Sequence, residues 1–463
     1  LRTVTGVQTC ALPIYYDAQI IWDNLVSCSP WHGVTTVVMG NCGFSVAPTR
    51  PMHRDLIMRT LENVEGMSVS ALKAGLGAEW PFETFPEYLD VLEQRGCAVN
   101  VAALMGHTAL RMYVMGEDSV ERDATPEEIA AQKDLLREAM DLYGVGEIWS
   151  MTALEQVPAV RRVLGDRLRL IAVPDWTSKD RRHAHGEGFL ERIEAYHRAG
   201  ARICKFWAAP RITDFAIELG DPGMFRLDAP ARVEAMGLAQ SLGMSFMTHV
   251  ADPDTWFATR YRDASRYGAK RDHYLPLERL LDRFDVPWIA AHLAGWPEDL
   301  GFLAGLLDRH PNLHLDASAT KWIVREVSRH EREAVIDFLR RFEGRVLFGS
   351  DIVTTDDHLC HAEGKTEMAA KASAPEDAFD LYASRYWALR TLWETDHDGP
   401  SPIADPDLAM VDPNRHGPMD APRLRGKRLP ADLLRSFYAG AAASLAARID
   451  ARAATSASNP AKT

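Results

Sequence analysis

From about Val34 onward, short runs of β-branched and apolar residues alternate with longer stretches whose apolar positions recur at helical spacing. A short apolar run suits a strand buried on both faces, and a long amphipathic stretch suits a helix packed across it. The alternation therefore predicts βα units around a parallel sheet. Strands are expected at VTTVVM (34–39), AVNVAALM (98–105), VGEIWSM (145–151), RLRLIAV (167–173), ARICKFW (201–207), MSFMTHV (244–250), VPWIAAH (286–292), NLHLDAS (312–318) and RVLFGS (345–350). Between them TPEEIAAQKDLLREAMDLY, APARVEAMGLAQSLG, PEDLGFLAGLLDRHP and SRHEREAVIDFLRRFEG read as helices; the first has a Thr cap, an early Pro and acids behind it. Nine strands are one more than a (β/α)8 barrel holds. After about Thr391 a Pro- and Asp-rich extension (396–450) ends in the helix RLPADLLRSFYAGAAASLAARI, and the polar residues 451–463 are expected to be disordered.

Composition narrows the function classes. The chain has 463 residues, 46% of them hydrophobic, enough for a large core. Its longest apolar runs fall well short of the ~20 residues of a membrane helix, so a soluble protein is expected. A net charge of -13 without a Lys/Arg cluster excludes a nucleic-acid surface. Six scattered cysteines form neither a disulfide framework nor a zinc ribbon, and a reducing cytoplasm is the expected compartment. Residues 4–14, VTGVQTCALPI, resemble a translated sequencing adapter, so residues 1–14 are expected to carry neither fold nor function.

In parallel βα folds, reacting groups collect at the C-terminal ends of strands. His249 closes MSFMTH, His292 closes WIAAH, Asp351 follows VLFGS, and Lys205 with Trp207 ends ICKFW. A lone imidazole there is ordinarily a hydrogen-bonded core residue. Two imidazoles and a carboxylate from three strands instead match the ligands of a catalytic divalent ion whose open position activates water.

The stretches MSFMTHVADP, VPWIAAHLAGWPEDL, NLHLDASATKWIVREVSRH and RVLFGSDIV resemble successive motifs of the amidohydrolase superfamily, in its amidohydrolase-related branch, over about residues 143–395. The resemblance implies a (β/α)8 TIM-barrel-like fold with an incomplete or replaced first strand. It makes His249 and Asp351 metal ligands and His292 a ligand or acid/base, with Asp351 taking the proton of the attacking water. Lys205 and Trp207 become substrate contacts, with a metal-bridging carboxylated Lys205 as the alternative, and Lys321 and Arg325 are further anion-binding candidates.

Residues 15–141, with YYDAQIIWDN, GNCGFSVAPTRP, FPEYLDVLEQR and VAALMGHTALRMYVMGE, are similar to the N-acyl-D-amino-acid deacylase family, which implies Cys42 as a zinc ligand. Both families place a His-x-His before a stretch like YDAQ, and here that position reads ALPIYYDAQ. The surplus strand and the change of likeness near residue 142 suggest two joined fragments, with the strands at 34–39 and 98–105 competing for one barrel place. The expected function is a metal-dependent hydrolase of C–N bonds in N-acyl amino acid-like small molecules, with a divalent metal, zinc foremost, as cofactor and a homo-oligomer left open. The alternatives are a nonoxidative decarboxylase and a catalytically dead chimera. His107 is the candidate substitute ligand.

Overall fold

The computed structural model describes residues 10–11, 16–40, 44–65, 67–77, 79–103, 105–125, 127–128, 131–132, 134–135, 145–354, 356–359, 371–373 and 375–458. The chain divides into two compact units, Leu1–Ile148 with Val163–Arg167, and Trp149–Arg162 with Leu168–Thr463.

In the first unit, β1 (Cys10–Ala11), β2 (Thr36–Met39) and β3 (Asn100–Ala103) form a parallel sheet in the order β1-β2-β3. The two strands expected to compete for the barrel thus make their own sheet. They pair with a segment expected to carry no fold. The helix Phe85–Arg95 starts at a capping box, in which Thr84 and Glu87 satisfy each other's backbone N–H, and stops at Gly96 with φ 68°. Its buried Phe85 and Tyr88 pack with Trp80 and Phe82, and the Tyr88 hydroxyl donates to Asp17 O at 2.9 Å.

The second unit is an incomplete (β/α) barrel. Seven strands, β4 (Ile148–Ser150), β5 (Leu168–Ala172), β6 (Ile203–Trp207), β7 (Ser245–His249), β8 (Trp288–Ala290), β9 (Leu313–Ala317) and β10 (Val346–Phe348), lie in the order β10-β9-β8-β7-β6-β5-β4. The registered pairs from β5 to β10 are parallel, and helices such as Glu187–Arg198, Pro230–Ser241, Tyr274–Arg283 and Leu300–Arg309 connect them. Among the described residues β4 and β10 remain edges, one strand short of eight.

Alternation along each strand sends neighbouring side chains to opposite faces. Phe206, Phe246 and Trp288 face the helices, edge-on to Phe189 and Phe284. Ile171, Ile203, Ile289 and Leu347 face the other way and pack with Ala441, Leu445 and Ile449 of the C-terminal helix Ala441–Ser458. That i, i+4, i+8 stripe lies across the inner layer, anchored by Arg169 to Asp450 in two 3.0 Å hydrogen bonds and by Arg448 Nη1 to His314 Nε2 at 3.4 Å. The helix runs on to Ser458, into the segment expected to be disordered, because ARAATSAS is rich in alanine, the best helix former.

The Pro- and Asp-rich extension is ordered by β11 (Asp398–Pro400) pairing antiparallel with β12 (Arg423–Arg425). It carries two buried carboxylates, Asp405 and Asp407. Among the described residues no helix is long and apolar enough to cross a membrane.

Candidate functional site

The C-terminal ends of β6 to β10 place most of the expected groups at one end of the sheet. Trp207 and His249 are the last residues of adjacent strands and stand in register. The Trp207 indole N–H donates to His249 Nδ1 at 3.2 Å. An indole nitrogen can only donate, so Nδ1 holds a lone pair and Nε2 carries the proton. That proton goes to Asp252 Oδ1 at 2.8 Å, while the Tyr261 hydroxyl donates to Asp252 Oδ2 at 2.6 Å. Burial pushes the Asp252 carboxyl up, but neighbouring His249 and the bonds from His249 and Tyr261 outweigh it and hold Asp252 below its usual range.

His292 has the opposite tautomer. Its Nδ1–H donates to Ser318 Oγ at 2.7 Å, because the Ser318 hydroxyl proton is committed to Asp316 Oδ1. The same Asp316 oxygen accepts the backbone N–H of His292 and of Ser318, each at 3.0 Å. His292 Nε2 is therefore the ring's lone pair. Burial, then the neighbouring His249, lowers the His292 pKa to about 3, so the ring is neutral. The two imidazoles stand edge-on, centroids 4.6 Å apart, and Trp322 is edge-on to both at 6.1 and 5.8 Å.

The backbone after β8 is unusual. His292, Leu293, Ala294 and Gly295 all have positive φ, of 60°, 50°, 54° and 75°. Side-chain-bearing residues pay roughly 1 kcal/mol or more each for such angles, and the Asp316 bond to the His292 amide helps hold the run. Gly295 is required there, because a Cβ would run into the carbonyl of Ala251, two residues past His249.

Lys205 is buried on β6 and acts electrostatically on His292, yet it makes no hydrogen bond or ion pair among the described residues. Asp351 follows β10 with φ 52° and is exposed, and its charge reaches Arg385 of the helix Pro375–Glu394. Lys321 is half-buried on the helix Thr320–Val327. Arg325, on the same helix, is committed elsewhere. It bonds Glu326 Oε1 at 2.5 Å, Asp405 Oδ2, Asp407 Oδ2 at 3.4 Å and Thr255 Oγ1 at 3.0 Å, all inside the protein. Asp407 Oδ2 also accepts the indole N–H of Trp256 at 2.8 Å and of Trp322 at 3.0 Å. A guanidinium saturated by three carboxylates holds the wall of the site and is closed to substrate. Cys42 lies outside the described residues, as does the His107 side chain.

Sequence reasoning missed Asp252, Tyr261, Asp316, Ser318 and Trp322. Three of them had a signal. Asp316 and Ser318 alternate on one face at the end of NLHLDAS, and Asp252 follows His249 by three residues in HVADP.

Among the described residues no three His, Cys, Asp or Glu side chains gather closely enough to hold a metal ion. The two imidazoles nevertheless suit a metal in their chemistry. Each has one N–H taken up by a carboxylate, directly for His249 and through Ser318 for His292, and one lone pair on the other nitrogen. Such a carboxylate-backed imidazole is the usual support of a metal ligand. The His249 lone pair is occupied by a long bond from Trp207, which would have to yield.

No family model matches the chain. D-aminoacylase of Alcaligenes xylosoxydans xylosoxydans is 40% identical over 114 residues, 25% of this chain and 20% of that enzyme. N-acyl-D-aspartate deacylase of the same organism is 40% identical over 114 residues, with the same shares of 25% and 20%. The chain thus spans about a fifth of the length of the curated relatives it matches. Among solved structures, a probable 2-pyrone-4,6-dicarboxylic acid hydrolase from Acinetobacter baumannii overlaps 55% of this chain and 82% of its own, at a TM-score of 0.30 and 12% identity. Over part of its length, the chain is similar to the N-acyl-D-amino-acid deacylases.

Proposed function

We propose that this chain derives from a metal-dependent amidohydrolase that cleaves the C–N bond of N-acyl amino acids with an activated water. The observation that carries the reading is the pair of imidazoles at successive strand ends, with opposite hydrogen-bonding patterns and a carboxylate behind each N–H. The partial likeness to deacylases supports the substrate class.

His249 Nδ1 and His292 Nε2 are the nitrogens that would hold a divalent ion, with Asp351 the carboxylate expected to complete the set. When bound, such an ion polarises the scissile carbonyl and lowers the pKa of water. The protein does the rest. Asp252 and the Ser318–Asp316 pair fix both tautomers before substrate arrives. Asp351, at an exposed strand end, accepts the proton of the attacking water and returns it to the leaving nitrogen. Lys205, buried and without an ion pair among the described residues, supplies positive charge to the oxygen that becomes negative in the tetrahedral intermediate. Trp207 and Trp322 shield the imidazoles from bulk water.

The test is metal content after dialysis together with amine release from N-acetyl-D-amino acids, with zinc, cobalt or manganese added back. The reading requires bound metal and metal-dependent amine. Folded protein that retains no metal and releases no amine under any of these ions overturns it, and carbon dioxide release instead would mark a decarboxylase.

A further inference from the structure

Arg232 is buried with only 4% of its surface exposed, on the first turn of the helix Pro230–Ser241, and among the described residues it has no acidic partner. Among the described residues its side chain makes no hydrogen bond, and Nη1 is sealed from solvent without an acceptor. Glu234, two residues on, is exposed on the same helix, and Asp228, four residues before, is already shared between Arg226 and Arg279 at 3.1 and 2.7 Å. Burial alone lowers the pKa of Arg232, to about 9, with no compensating negative charge. A buried guanidinium with open N–H groups is costly unless something anionic completes it.

The surroundings suit a ligand. Phe225 carries both the Arg232 guanidinium, 5.7 Å from its ring centroid, and the His185 ring, edge-on at 4.8 Å. The His185 ring also makes no hydrogen bond among the described residues, and burial, then Arg232, keeps it neutral with a pKa of about 4. Arg181, the other cation near His185, is accounted for by Glu218 at 3.5 Å and the Phe215 ring at 4.0 Å. Trp176, 44% exposed, stands edge-on between His185 at 5.0 Å and Trp207 at 5.4 Å. Trp207 donates to His249. Because the loops after β5 and β6 and the start of this helix share the C-terminal end of the sheet, the cluster lies beside the candidate site, joined to it through Trp207.

We propose that Arg232 and His185 form a binding site for the carboxylate of a small anionic ligand, with Trp176 and Trp207 as the aromatic wall between that site and the imidazoles. A planar guanidinium fork matches a carboxylate in two parallel bonds, and neutral His185 can donate a third. The site deepens the hydrolase reading, since an N-acyl amino acid carries such a group, but its test needs no turnover.

The test titrates the full-length chain, treated with chelator, with N-acetylglycine and with N-acetylglycinamide, which lacks the carboxylate, following tryptophan fluorescence. The acid should bind at least ~10-fold more tightly than the amide, as expected for charge-assisted hydrogen bonds. Arg232→Met should abolish that discrimination while raising Tm, because it removes an uncompensated buried charge; Arg232→Lys should keep part of the discrimination. Equal binding of acid and amide by the wild type overturns the site, and so does discrimination that survives in Arg232→Met. The wild-type comparison decides the matter even if the methionine variant fails to fold. Amine release plays no part, so the hydrolytic reading and the anion site can fail separately.

Discussion

His292 Nδ1 lies 2.7 Å from Ser318 Oγ, and that hydroxyl passes its own proton to Asp316. One buried carboxylate thereby sets which nitrogen of an imidazole keeps its lone pair. Ser318→Ala leaves the Nδ1–H without an acceptor and frees the tautomer. The expected outcome is a 10- to 100-fold loss of metal affinity, the usual effect of removing a ligand's support, with a stability loss of only about 1 kcal/mol. Metal titration with a competing chelator measures the first and urea unfolding the second. Unchanged affinity would show that the tautomer is set elsewhere.

Asp407 gathers two indole N–H groups and one edge of Arg325 on a single oxygen. Asp407→Ala leaves all three donors buried, beside a guanidinium that loses one of its carboxylates. Breaking a buried ion pair from one side costs about 3 to 5 kcal/mol. The urea midpoint should fall accordingly, and Trp322 fluorescence should shift to the red as its indole is released toward water. An Arg329→Ala control removes a mostly exposed guanidinium from Glu326, and it should cost less than about 1 kcal/mol.

How much of this was legible depends on the range of the forces involved. Strands such as LRLIA and LHLDA follow from local apolar runs, and the nine expected strand positions each contain a strand. Placing His249, His292 and Asp351 at strand ends needed only those boundaries. Pairing was not local. Nothing in VTTVVM says that it pairs with Cys10–Ala11 and Asn100–Ala103. Arg325 read as an anion binder because a helix surface and a buried ionic cluster look alike in sequence. Its partners Asp405 and Asp407 lie about eighty residues on, in a segment whose Pro and Asp content suggests an irregular extension. Arg232 drew no notice for the same reason, since an unpaired cation is defined by what is not packed against it.

Acid should weaken the second unit through His314. This ring is buried in the inner layer, donates Nδ1–H to the Trp288 carbonyl at 3.2 Å and accepts from Arg448 at Nε2. Burial, then the Arg448 charge, lowers its pKa from 6.5 to about 4. Between those values the unfolded chain binds the proton and the folded chain does not. Stability from His314 is thus complete above pH 6.5 and declines as pH falls toward 4, by up to about 3 kcal/mol. His185 and His292 are lowered in the same direction and add to the slope. Urea midpoints at pH 7 and pH 5 should differ in the wild type and differ less in His314→Gln; equal slopes in both proteins would exclude His314 as a source.

The C-terminal helix does for the inner face what a closed ring of strands would otherwise do. Seven strands leave β4 and β10 as edges, and an open sheet with Ile171, Ile203, Ile289 and Leu347 turned inward needs an apolar cover. Ala441, Leu445 and Ile449 supply it, with Leu445 only 1% exposed. Burying one leucine contributes about 2 kcal/mol, and forcing a carboxylate into that seat adds its desolvation. Leu445→Asp should therefore lower stability by about 4 kcal/mol or more and expose surface that binds a hydrophobic dye, whereas Ser444→Asp, one residue away on the exposed face, should change stability by less than about 0.5 kcal/mol. If both substitutions prove equally mild, the helix is not the cover of the sheet. If both prove equally severe, the loss comes from added charge on the helix and not from the apolar stripe.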